Sequence, residues 1–173
     1  MAESYPTIRA GQRITGGLLA SMLPQTARKT TDTSRASTAT PVADEHLLFT
    51  VEANAAYIWD GWLKYFADPA ADLQVDFTVP AGSLGEWNGF GAGSGTAGIG
   101  VTTGYSIRTE ANDVSQPRNY YGSTDSTHGL ILHGLLRVGS TSGTFSLDWS
   151  QGTSNAIATI VHTDSWLRMQ RIA

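Results

Sequence analysis

The chain has 173 residues, enough for one domain with a short appendage, and a formal net charge of −4 with 15% charged residues. Its 11 basic residues are scattered along the sequence, which argues against a nucleic-acid partner. The sequence has no cysteine, which excludes disulfides and thiolate metal sites. No apolar run approaches the ~20 residues of a membrane helix, and no signal peptide is recognisable. We therefore expect no membrane partner and synthesis in the cytoplasm.

Residues 1–26 differ in pattern from the rest and are predicted to form a separate N-terminal segment. Thr15 is placed to cap a helix and Pro24 to end it, while the pair 16–17 of glycines weakens the helix by about 1 kcal/mol per residue. Two interpretations stay open: a frayed helix that packs on its own domain, and an anchor that becomes ordered on a partner. The anchoring side chains are those that recur at helical spacing, namely Ile14, Leu18, Leu19, Met22 and Leu23.

Residues 27–173 are predicted to form about eight short strands, beginning with an edge strand near Ala27. Segments 73–79 and 144–149 alternate apolar with polar residues, as strands do that have one buried face. Segment 55–66 alternates imperfectly, and its Asp-Gly pair predicts a bulge or a tight turn. Regular strand spacing without interleaved helices indicates an all-β sandwich or barrel.

Two of these strands, 129–138 and 155–162, are apolar on both faces. In an antiparallel sheet, a second apolar face needs a second apolar neighbour. The chain offers no helices for this purpose, so we expect another copy of the same sheet to cover it, around either a twofold or a threefold axis. The predicted subunit interface comprises Ile131, His133, Leu135, Ile157 and Val161.

Several phrases of the sequence carry a resemblance to known families. They are IRAGQRITGGLLASMLP, RKTTDTSRAS, VEANAAY, DLQVDFTVPAG and GLLRVGSTSGTFSLDWSQGTSNA. These phrases resemble actinobacterial phage virion proteins of the minor tail type, and the closing strands resemble trimeric jelly-roll heads of the C1q/tumour-necrosis-factor type.

The resemblance implies a homotrimeric jelly-roll β-sandwich displayed on a bacteriophage virion that is assembled in the host cytoplasm. Its function would be structural and non-enzymatic, as a minor tail protein, a fibre head or a capsid decoration protein. The N-terminal segment would attach the head to other virion proteins.

The sequence contains partial matches to nucleotide, metal and catalytic sites, but none has the context that its chemistry needs. Residues 93–98, GSGTAG, match a dinucleotide-binding fingerprint, but a strand-like segment follows where a helix is needed. The four histidines lack zinc-ligand spacing, and His133 is interpreted as an interface residue rather than an axial ion ligand. The chain has no nucleophile motif, and its acidic residues lie mostly in predicted turns. We therefore predict no catalytic residue, no cofactor and no bound metal.

The aromatic residues divide into two groups. Trp59, Trp149 and Trp166 are assigned to the core, as is usual for tryptophan in a sandwich. A second set is flanked by Asn, Gly and Ser, a mixture typical of adaptable recognition surfaces. This set predicts contacts with a host cell-surface glycan and comprises Trp87, Tyr120 and Tyr121. The alternative functions are accordingly a host-glycan-binding tail adhesin and, with less support, a glycan-degrading enzyme.

Overall fold

The computed structural model describes residues 5–6, 8–93, 99–100, 106–108 and 110–173. Within these residues, one short helix, α1 (Gly16–Ser21), precedes fourteen strands that pair only in antiparallel fashion. The all-β jelly-roll sandwich predicted from the sequence is confirmed, although it has more strands than the eight or so expected. The strands are β1 (Gln25–Arg28), β2 (Thr33–Arg35), β3 (Val42–Val51), β4 (Ala56–Phe66), β5 (Leu73–Thr78), β6 (Leu84–Gly93), β7 (Ile99–Gly100), β8 (Ser106–Arg108), β9 (Asn112–Asp113), β10 (Arg118–Tyr120), β11 (His128–Arg137), β12 (Gly143–Gln151), β13 (Thr159–Val161) and β14 (Trp166–Arg171).

Nine strands follow one another in the order β1-β14-β4-β11-β6-β10-β5-β12-β3. Strand β6 joins two sheets, because its first part pairs with β11 while Gly93 at its end pairs with β10. We call β1, β14, β4, β11 and the start of β6 the first sheet, and the end of β6 with β10, β5, β12 and β3 the second sheet. Strands β2 and β13 extend the first sheet beside β4, and β7, β8 and β9 lie beside β6.

The inward faces of the two sheets form one hydrophobic core. At its centre, the ring of Phe77 from the second sheet packs against Trp59 and Trp87 from the first, with centroid distances of 4.9 and 5.0 Å. Strand β12 alternates as predicted, since Phe145 and Trp149 are fully buried. Burying large apolar side chains at every second position is what holds the two sheets together.

Strand β4 differs from the prediction, because it runs without a bulge or turn through Asp60 and Gly61. Gly61 is required for a different reason. A Cβ atom there would lie 2.4 Å from Leu167 Cδ2 and 2.7 Å from the Trp166 carbonyl oxygen. The glycine therefore permits a close approach of β14 to β4.

The segment 155–162 also differs from its prediction as a strand with two apolar faces. Only Thr159–Val161 form a strand, and the residues before it form a loop in which Ile157 is exposed. Asn155 Oδ1 accepts a hydrogen bond from the Ile157 backbone N–H at 2.8 Å, which holds this loop in a turn.

Strand β1 occupies the end of the strand path, as the predicted edge strand near Ala27 requires. It runs antiparallel to β14, with Gln25 opposite Met169 and Arg28 opposite Trp166. Ahead of β1, the side chain of Thr15 caps α1 by accepting a hydrogen bond from the Leu18 backbone N–H, as predicted. No helix within the described part of the chain is long and apolar enough to cross a membrane.

Candidate functional site

The outward face of the first sheet carries a row of large apolar side chains that crosses four strands. Trp166 in β14 lies opposite Trp62 in β4, and Trp62 lies opposite Ile131 in β11. Ile131 in turn lies opposite Phe90 in β6. Because directly opposite residues of antiparallel strands share a face and contact one another, these four side chains form a continuous apolar row.

The apolar row is open to solvent. Ile131 is 53% exposed and Phe90 is 47% exposed, while the two tryptophans are half-buried. A Cβ atom on Gly129 would lie 2.9 Å from Nε1 of Trp62, so the glycine leaves the space that this indole occupies. Exposed apolar patches on soluble proteins often have a function, so this row is a candidate contact surface.

A polar row lies beside the apolar row, two residues further along each strand. It consists of Arg168, Asp60, His133 and Asn88, which lie opposite one another in that order. Arg168 Nε and Nη2 donate hydrogen bonds of 2.9 Å to the two carboxylate oxygens of Asp60. These hydrogen bonds raise the pKa of Arg168. The bidentate geometry fixes the pair in register at the middle of the face.

A third row follows on the other side of the polar row. Ile58, which is 45% exposed, lies opposite Gln170 and Leu135, and Leu135 lies opposite Glu86. A shallow cavity of about 480 Å³ lies on this part of the sheet, and its lining includes Ile58, His133 and Leu135. We call the three rows together the outer face.

The outer face contains three of the five residues predicted for a subunit interface. Ile131, His133 and Leu135 alternate along β11 and all lie on this face. Val161 is fully buried in the core, so its prediction as an interface residue is wrong. Ile157 is 51% exposed but lies in the loop before β13, away from the outer face.

The N-terminal segment presents its apolar side chains to solvent, and α1 buries none of its residues. Tyr5 stacks on the guanidinium of Arg171 at 4.0 Å, which brings the start of the described chain back to the end of β14. All the predicted anchoring residues are exposed, with the exception of the half-buried Leu18; the exposed ones are Ile14, Leu19, Met22 and Leu23.

The residues predicted to contact a glycan do not form a surface. Trp87 is 1% exposed and Tyr120 is fully buried, so both belong to the core and the prediction for them is wrong. Tyr121 is half-buried, and its carbonyl oxygen accepts a 2.7 Å hydrogen bond from the hydroxyl of Tyr65. The segment around Tyr120 reads as a polar loop, but it contains strand β10, which turns this ring inward.

Metal and nucleotide chemistry find no support in the described residues. Among them, no three His, Asp or Glu side chains are grouped so as to hold a metal ion. Of the glycine-rich segment 93–98, only Gly93 lies within the described residues, where it ends β6.

Among the apolar members of the outer face, the sequence analysis did not identify four. Ile58 and Trp62 share one face of β4 with Asp60, and this spacing of two residues was the available signal. Trp166 is half-buried on the outer face instead of in the core, where it had been assigned. Phe90 lies in a glycine-rich segment without recognisable alternation, so its face becomes apparent only from its pairing with Ile131.

Comparisons with known proteins add little. No protein-family model matches the chain, and no curated protein matches it significantly in sequence. A crystal structure of the infectious bursal disease virus VP2 subviral particle shares 8% identity with it over 87% of this chain and 41% of that chain, with a TM-score of 0.23. A structure of the Gx strain of that virus shares 14% identity over 97% of this chain and 45% of that one, with a TM-score of 0.20. The chain spans less than half of these viral chains, and TM-scores of this size do not establish a common fold.

Proposed function

We propose that this chain is a non-enzymatic structural protein of a bacteriophage virion that assembles as a homotrimer through its outer face. The observation that carries the proposal is the exposed apolar row on the first sheet. Association of identical copies removes that row from water and needs no helix or other element to cover it. The resemblance of the sequence to phage minor tail proteins supports the virion as the place where the trimer acts.

The size of the outer face is consistent with the centre of an interface. Four strands about 4.8 Å apart and three rows about 7 Å apart give a patch of roughly 400 Å². Standard interfaces bury about 800 Å² on each partner, so the outer face would supply about half of one. We therefore expect the loops that surround the outer face to supply the remaining contact area.

Light scattering of the purified chain tests this proposal directly. We expect the mass of three copies of the 18.4 kDa chain, and a monomer at high concentration would contradict the proposal. Ile131→Lys places a charge in the middle of the apolar row, where burial against a second copy would leave it unpaired. We expect this variant to be monomeric or to dissociate at concentrations at which the native chain is trimeric.

Leu48→Lys is the matched control. Leu48 is 41% exposed and lies on the outward side of β3, in the other sheet. The same change of charge and size there should leave the trimer intact. If both variants dissociate, or neither does, the outer face is not the association surface.

The N-terminal segment would attach the trimer to the particle. Its exposed apolar side chains are available to a partner, as an anchor requires. Electron microscopy of labelled particles would distinguish a position on the capsid from one on the tail. Binding of a host glycan by an adhesin is a weaker candidate, because two of its three aromatic residues are buried in the core.

A further inference from the structure

A lysine and an aspartate lie fully buried against each other where β1 ends and β3 begins. Lys29 directly follows β1, Asp44 belongs to β3, and neither side chain has any exposed surface. The distance from Lys29 Nζ to Asp44 Oδ2 is 2.7 Å. Removing two opposite charges from water costs several kcal/mol per ion, so a buried pair of this kind is expensive to keep ionised. Self-association through the outer face makes no use of it.

Further polar groups surround this pair. Trp149 Nε1 donates a 3.0 Å hydrogen bond to Asp44 Oδ2, and the His46 backbone N–H donates one of 3.0 Å to Asp44 Oδ1. Thr33 Oγ1 accepts a 2.8 Å hydrogen bond from Lys29 Nζ. His46 Nδ1 is buried 3.9 Å from Asp44 Oδ1 and has no hydrogen-bond partner among the described residues.

We propose that Lys29 and Asp44 condense to form an intramolecular isopeptide bond. A proton passes from the ammonium of Lys29 to the carboxylate of Asp44, which leaves a neutral amine beside a neutral carboxylic acid. The Nζ lone pair attacks Cγ, and the His46 backbone N–H, which bonds Oδ1, stabilises the oxyanion that develops on that atom. The hydroxyl on Oδ2 leaves as water with a second proton from the nitrogen, which lies beside it. One N–C bond forms, one C–O bond breaks, and nothing is oxidised or reduced.

Proximity lowers the entropic barrier to the attack, because Lys29 Nζ already contacts the carboxyl group of Asp44. Two reacting groups held in contact react as if at effective concentrations of about 10⁵ M or more. Burial acts to raise the pKa of Asp44, but hydrogen bonds from Lys29, His46 and Trp149 outweigh it and lower that pKa. Asp44 is therefore a carboxylate in the resting state, and we expect the bond to form slowly after folding.

The bond would fasten an edge strand that is otherwise weakly held. β1 pairs over four residues with β14, and an isopeptide bond after its last residue would join it covalently to β3 in the second sheet. Tension applied to residues before β1 would then pass into the second sheet through a covalent bond. This inference stands independently of the proposed function, because it concerns one chain and no partner.

Mass spectrometry of the denatured, full-length chain tests the inference. We compare freshly purified protein with protein incubated for days in the folded state, and expect a growing species that is lighter by one water molecule. After digestion with trypsin, the product should contain peptide 29–35 joined to peptide 36–64 through Lys29 and Asp44. An unshifted mass after incubation, or a water loss that maps elsewhere, would show that the two residues form an ion pair only.

Two variants sharpen the result. Lys29→Arg keeps the positive charge but cannot form the amide, so it should lose no water. Asp44→Asn should lose ammonia instead of water and reach the same final mass as the cross-linked native chain. A water loss that persists in Lys29→Arg would overturn the proposal. If either variant does not fold, the peptide map of the native chain decides the question alone.

Discussion

Single residues set the distances between strands in the first sheet. Gly61 lies directly opposite Leu167 of β14, and Gly134 lies against the indole of Trp59. Neither position has space for a Cβ atom. These glycines differ from Gly82, whose φ of +76° requires glycine for conformational reasons. In the sheet interior, the requirement comes from packing instead.

Replacement of Gly61 by alanine is expected to destabilise the fold by about 1–3 kcal/mol, the usual cost of overpacking a core. The new methyl group would collide with the backbone of Trp166 and the side chain of Leu167. Urea denaturation measures the effect. Gly17→Ala in α1, where a Cβ atom meets nothing within 4 Å, serves as the control and should leave the unfolding midpoint of the domain unchanged. Equal effects at both positions would contradict the packing explanation.

A second prediction concerns Asp76, which lies directly opposite Asp148 in β12. Partial burial and the charge of Asp148 raise the pKa of Asp76 despite a hydrogen bond from the Phe77 backbone N–H. A raised pKa in the folded state means that the stability contributed by protonation is lost as pH rises through it. Asp76→Asn removes the charge and keeps the acceptor, so we expect it to be more stable than the native chain at neutral pH.

This gain should shrink as the pH falls into the acidic range in which Asp76 of the native chain is protonated. Unfolding midpoints measured across that range check it. Asp125→Asn, in an exposed loop, is the control and should show no such pH-dependent gain. A gain of constant size at all pH values would mean that the charge of Asp76 is not its cause.

At the scale of elements, the alternation of apolar and polar residues predicts those strands that have one buried and one exposed face. β5 and β12 were recognised because Leu73, Val75 and Phe145 point into a core that spans both sheets. The prediction of a strand over 155–162 is wrong because composition does not show that most of this segment is held in a turn. The predicted exposure of Trp87 and Tyr120 is wrong because their polar neighbours in sequence indicate a surface. Their positions along β6 and β10 place both rings on the inward face. The outer face was predicted only along β11, since the neighbours that complete its rows come from distant parts of the chain.

Removal of residues 1–24 is predicted to separate attachment from folding. The helix in this segment buries none of its residues, so the truncated chain should fold and associate as the native chain does. It should no longer join phage particles, which co-sedimentation with particles would measure. Truncated protein that still sediments with particles would show that the anchor lies elsewhere.

At the scale of the molecule, the chain combines a buried hydrophobic core with an apolar row that is exposed on the outer face. Among the described residues, 25 buried hydrophobic side chains form one cluster, which gives a single copy a core of its own. Under the proposed self-association, the outer face adds stability only when copies meet, because it is solvated in a single chain. The proposal therefore links folding to association through protein concentration.

The melting temperature of the native chain is accordingly predicted to rise with protein concentration. For Ile131→Lys it should stay constant over the same range, because that variant gains nothing from neighbours. Thermal unfolding at several dilutions, followed by circular dichroism, gives both values. A native melting temperature that is independent of concentration across the dissociation range would contradict the linkage.

The antiparallel pairing of β1 with β14 also determines which end of the sandwich is suited to the insertion of a foreign peptide. Gln25 and Arg171 lie at one end of the sandwich, so a cargo fused after Ala173 would begin beside the N-terminal segment. The loops 67–72 and 152–158 lie at the opposite end, next to the Phe66–Ile160 pair. An epitope for vaccine display or a fluorescent tag inserted in loop 152–158 would therefore project away from the N-terminal segment.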